Sequence, residues 1–157
     1  MAAEWDWETG EGVSHVDDPA EVDAAFARGE WPLGSAVIGL AFNCALDEAS
    51  PRIVRAMQLT DPNQRALAFT AAGAAARING ELTDELYAAL QAEGRGAFAE
   101  HAIRDTLNFV PFRKLPLWFK WQMVRTAVVD KLTYWRMLFV DAIEDVRHAV
   151  ARRRSRG

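Results

Sequence analysis

Residues 59–80 read LTDPNQRALAFTAAGAAARING, and the fold class turns on them. Asp61 is a helix-capping residue, Pro62 suits the first helical position, and Gln64 stands where a capping box wants Glu or Gln. Leu67, Ala71, Ala74 and Ile78 then recur at helical spacing, and Asn79-Gly80 supplies a stop. Eight of the eleven residues 66–76 are Ala or Gly. So thin a helix lets neighbouring backbones approach closely, and its place is the middle of a bundle or stack.

Working outward, the punctuation on both sides also signals helices. Asp18-Pro19-Ala20-Glu21 combines a cap, a first-turn proline and an acid at the third helical position, and Gly29 ends the helix it opens. A second helix over 32–47 is apolar nearly all round and therefore buried. Ser50-Pro51 opens a short third one, with Ser50 as its cap, and the helix 62–78 follows. Thr83 caps a fifth over 84–93, which Gly94-Arg95-Gly96 breaks. A sixth runs over 97–109 and Pro111 closes it.

Pro116 precedes a long amphipathic helix over 117–153. Its apolar positions Trp121, Val124, Val128, Leu132, Trp135, Phe139, Ala142 and Val146 advance in steps of three and four. No segment alternates with period two. The expectation is an all-α fold of six to seven helices, a short stack closed by the long C-terminal helix. It forms one domain over 18–157, preceded by an acidic irregular arm over 1–17.

Composition agrees with that class. At 157 residues the chain has the size of one domain, able to bury roughly 70% of its unfolded surface. Its single cysteine, Cys44, excludes an internal disulfide framework and a cysteine-based zinc site, and in an apolar helical run it reads as a buried, inert thiol. The start, MAAEWDWETGEG, has neither a basic nor an apolar region of a secretory leader, so cytoplasm is the expected location. The longest uncharged run, residues 31–46, holds Ser35, Asn43 and two glycines and suits a buried helix rather than a membrane span.

The net charge of −4 conceals polarity along the chain. Residues 1–30 carry nine acids and one Arg, whereas 111–157 carry eleven bases and four acids. Either the two ends meet or one of them meets a charged partner.

Residues 47–109 carry a further pattern: helix pairs with Asp-Pro at a turn, then Arg65, Ala68 and Gly73-Ala74, then Leu82 and Leu86. In this the chain resembles short HEAT-like α-helical repeat proteins of the actinobacterial type, over about two repeats. The resemblance implies a scaffold that presents a surface to another protein. The long C-terminal helix departs from the repeat pattern and leaves a plain helical bundle open.

No chemical motif survives its own spacing test. Residues 94–99, GRGAFA, fit a loose dinucleotide pattern, but a helix precedes them where the mechanism needs a strand. His101 and Asp105 share a helix face without a third ligand, and Asp145 with His148 is half of a di-metal motif whose other half is missing. Ser14, Ser35, Ser50 and Ser155 lie in no nucleophile turn. A carboxylate pair assembled in space stays open. The expectation is a non-enzyme with no catalytic residue, metal or cofactor.

The stretch 109–121, FVPFRKLPLWFKW, interleaves aromatics with bases and is broken by two prolines. Its bland reading is core filling where a loop becomes a helix, with Lys and Arg snorkelling outward. Its functional reading is a partner-binding surface made of Phe112, Arg113, Lys114, Trp118 and Lys120, aromatics with Arg being hot-spot chemistry. The expected partner is another protein, the chain acting as an immunity- or antitoxin-like inhibitor or a small scaffold. The alternative is a nucleic acid or an anionic membrane surface, met by this basic aromatic third and by Arg152, Arg153, Arg154 and Arg156. The bland reading of that tail is a solvated helix end.

Overall fold

A computed structural model describes residues 5–96 and 98–154, with side chains described to Met137 apart from residue 130. Among the described residues the chain is all helical. The helices are α1 (Pro19–Arg28), α2 (Leu33–Asn43), α3 (Leu46–Ala56), α4 (Pro62–Asn79), α5 (Asp84–Glu93), α6 (Glu100–Phe109) and α7 (Leu117–Arg154), with single 3-10 turns at Val13–His15 and Phe112–Lys114. They form two compact units, residues 1–116 and residues 117–157, each described here by itself.

Most helix ends obey local chemistry. Asp18 accepts the Ala20 N–H, Asp61 those of Asn63 and Gln64, and Thr83 that of Leu86. Gly29 and Gly80 adopt the left-handed conformation at the ends of α1 and α4, at φ 72° and 62°.

The region 32–59 divides differently from the sequence expectation. The apolar run ends as a helix at Asn43, and α3 starts at Leu46 rather than at Ser50-Pro51. Asn43 Nδ2 donates to the His15 carbonyl at 3.2 Å and the Cys44 thiol to that of Asp17 at 3.2 Å, so the break ties the end of α2 to the segment before α1. Cys44 is consequently a half-buried cap rather than an interior thiol, and burial pushes its pKa up. Ser50 caps nothing: it lies inside α3, 1% exposed, with its hydroxyl on the Leu46 carbonyl at 2.5 Å. Pro51 also sits within α3, and the carbonyl it leaves without a helical partner belongs to Asp47, an exposed residue. The sixth helix is shorter than expected and starts at Glu100.

In the first unit, α4 packs against α2, α3 and α6, as its composition requires. Its buried positions, however, are Gln64, Ala68, Phe69, Ala71, Ala72, Gly73, Ala75 and Ala76. Of the expected stripe only Ala71 is buried; Leu67 and Ala74 are intermediate, and Ile78 is 49% exposed. A helix with neighbours on several sides buries its small residues, because only they permit the backbone approach. A Cβ on Gly73 would meet Ala102 Cα at 3.3 Å and Asp105 Oδ2 at 3.0 Å.

The N-terminal segment is irregular but anchored. Val13 and Val16 are fully buried, and the Val16 backbone crosses α2 at Gly39, where a Cβ would lie 2.6 Å from the Val16 oxygen. Arg52 joins α3 to α1: it ion-pairs with Asp23 and donates to the Pro19 carbonyl at 3.1 Å and the Glu48 carbonyl at 2.6 Å.

Candidate docking surface

In the first unit the segment after α6 is held at two points. Val110 and Leu115 are each 2% exposed, and the 3-10 turn between them is closed by the Lys114 N–H on the Pro111 carbonyl at 2.8 Å. Pro111, fixed near φ −57°, starts that turn. With its two ends buried, the turn presents Phe112, Arg113 and Lys114 to solvent, Phe112 at 53% exposure. Lys114 Nζ meets Glu81 Oε2 at 2.7 Å, an exposed pair of small energetic weight.

In the second unit Trp118 and Lys120 lie on the first turns of α7, both partly exposed. Trp118 sets its ring edge-on to Phe119, with centroids 4.8 Å apart at 76°. The five residues singled out from sequence are therefore three on a turn of the first unit and two on the helix of the second.

What the spacing did not foretell is the exposure of the described part of the α7 stripe, which ends at Trp135. Trp121, Val124, Val128, Leu132 and Trp135 are 48–66% exposed, and Leu117, which continues the same row, is 78% exposed. At 3.6 residues per turn these six side chains fall within an arc of about 80°. The bases of the same stretch lie beside that arc: Arg125 and Arg136 about 20–40° beyond one edge, Lys131 and Lys120 about 20–40° beyond the other. Trp118 lies on the Arg136 side. The flanking was readable from sequence, since each base stands three or four residues from a stripe position; the exposure was not. Phe139, Ala142 and Val146, the pair Asp145 and His148, and the arginine tail have side chains outside the described residues.

The other candidates resolve into structural roles. Asp105 pairs with Arg77 at 2.9 Å rather than joining His101, and among the described residues no three His, Cys, Asp or Glu cluster as a metal site. The turn at Gly94-Arg95-Gly96 joins α5 to α6, with Phe98 beyond it stacked 6.4 Å from Phe69 and 5.2 Å from the Arg65 guanidinium. Arg65 also ion-pairs with Glu93 beside a shallow depression of about 220 Å³ lined by Val54, Met57 and Phe69. That is below the roughly 300–1,000 Å³ of ordinary small-molecule sites. No described helix is long and apolar enough to cross a membrane.

No family model matches the chain, and no curated protein or solved structure matches it.

Proposed function

We propose that this chain is a non-catalytic, cytoplasmic, macromolecule-binding module whose docking element is its C-terminal helix, with Phe112, Arg113 and Lys114 on the preceding turn as a second contact. One observation carries the reading: the apolar row from Leu117 to Trp135, including two tryptophans, stands in solvent. Surface hydrophobes scattered singly need no explanation, whereas a continuous row mixed with bases marks an interaction face. The helix pairs of the first unit suit a short HEAT-like stack. The exposed face favours docking as such and selects neither an inhibitor nor a scaffold.

The test is a paired comparison in extract of the native host. The full-length chain is expected to partition with a macromolecular fraction, and Val128→Glu/Trp135→Glu to leave it while keeping the wild-type melting profile. Both proteins running free in every fraction would remove the docking reading.

A further inference from the structure

Resting on that docking reading, we propose that the surface met by α7 is an anionic lipid bilayer, on which the helix lies flat with the row Leu117, Trp121, Val124, Val128, Leu132 and Trp135 in the interface. The charge arrangement carries this. An apolar arc with bases along both borders lets the alkyl stems of Lys120, Arg125, Lys131 and Arg136 follow the apolar surface while their charges reach lipid phosphates. Trp121 and Trp135, 14 residues apart on the same row, suit the headgroup level at which indole rings collect. The helix lies along the surface rather than across it, because these charges recur every five or six residues through the segment.

Other occupants fit the same face less well. In a second copy pairing along 117–137, parallel or antiparallel, bases would border both helices and face one another, the like-charge arrangement that opposes coiled-coil pairing. A nucleic acid would meet the bases but leave the centre of the face, Val124, Val128 and Leu132, desolvated against phosphates. A protein groove grips a helix on its flanks as well as its apex, and here two bases on each side separate the row from the next exposed apolar side chains, Val129 and Tyr134.

The experiment uses the full-length chain with phosphatidylcholine vesicles, with and without phosphatidylserine, read by flotation and tryptophan emission. Wild type is expected to float with the anionic vesicles, with a blue shift, and to bind neutral ones far more weakly. Lys120→Gln/Arg125→Gln/Lys131→Gln/Arg136→Gln is expected to lose about fivefold in affinity per neutralised base, and added salt to produce a similar loss. Val128→Glu/Leu132→Glu should abolish the blue shift. Circular dichroism of each variant checks that the helices persist. Equal binding to both vesicle types, or unchanged binding by the glutamine variant, overturns the lipid proposal. So does concentration-dependent self-association lost on Val128→Glu/Leu132→Glu, or binding to DNA, RNA or a protein without vesicle binding; these leave the docking reading standing. Binding to nothing overturns both.

Discussion

Gln64 reaches out of its own helix: its Oε1 accepts the backbone N–H of Gly34, the second residue of α2, at 2.7 Å. It is 5% exposed and so caps the start of α2 from α4. That N–H is one of those every helix leaves without an internal partner, and Pro32 before it offers no side-chain acceptor. The approach is possible because residue 34 is glycine, since a Cβ there would lie 2.2 Å from the Gln64 carbonyl oxygen.

Gly34→Ala should therefore cost about 3 kcal/mol or more, the high end of overpacking, because the obstacle is backbone. Gln64→Leu strands a buried donor and should cost about 1–3 kcal/mol. Gln64→Glu, which keeps an acceptor at a helix N-terminus, should recover part of that loss. Urea midpoints measure all three, and wild-type midpoints for Gly34→Ala and Gln64→Leu would mean α2 and α4 do not meet here.

Gly73 and Ala74 are neighbours in sequence with different surroundings. Gly73 is buried against α6 and Ala74 only half buried. Enlarging Gly73 to Leu should cost about 3 kcal/mol or more, and the same change at Ala74 distinctly less. Equal thermal shifts would show that α6 does not lie against Gly73.

How much was legible follows from where each decision is made. The ends of α1 and α4 were readable because Asp18, Gly29, Asp61 and Gly80 satisfy backbone groups within their own turns. The division between α2 and α3 was not, because Asn43 and Cys44 reach carbonyls at His15 and Asp17, nearly thirty residues back. Gln64 stood at a capping-box position, but its amide serves a helix thirty residues earlier. The α7 periodicity was plain, yet periodicity says which side chains share a face and not what covers it. Phe112, Arg113 and Lys114 were sound candidates for exposure because two prolines bracket them, whereas the spacing from Trp121 to Trp135 left the exposure of that row open.

Burial pushes up both the Cys44 thiol and the Tyr87 phenol. A folded pKa above the unfolded one means that the native state holds its proton longer. The stabilising contribution is full below the ordinary values, 9.0 for Cys and 10.0 for Tyr, and is lost as pH rises above them through the raised folded values. Stability should thus fall on the alkaline side, first through Cys44 and then through Tyr87. Cys44→Ser should shallow the first part of the decline and Tyr87→Phe the second. Iodoacetamide should label native Cys44 more slowly than the unfolded chain at mildly alkaline pH. Equal labelling rates would mean that the thiol stands open rather than on the Asp17 carbonyl.

The N-terminal segment is acidic, and its attachment would be salt-sensitive if charge held it. Its buried contacts are apolar or backbone: Val13 and Val16 at 0% exposure, and the Val16 chain laid over Gly39. Arg28 sits 6.0 Å from the Trp7 ring and pairs with Glu21 and Glu30, all in the weak exposed class. Val16→Ala removes two buried methyl groups and should cost roughly 2 kcal/mol, equally at low and high salt. Gly39→Ala should cost at least as much by forcing the segment off α2. Arg28→Gln should change stability by a few tenths of a kcal/mol, and only at low salt. Urea titrations of the three variants at two salt concentrations separate the causes. A Val16→Ala loss that shrinks as salt is added would show that charge rather than packing holds residues 5–17 to the helices.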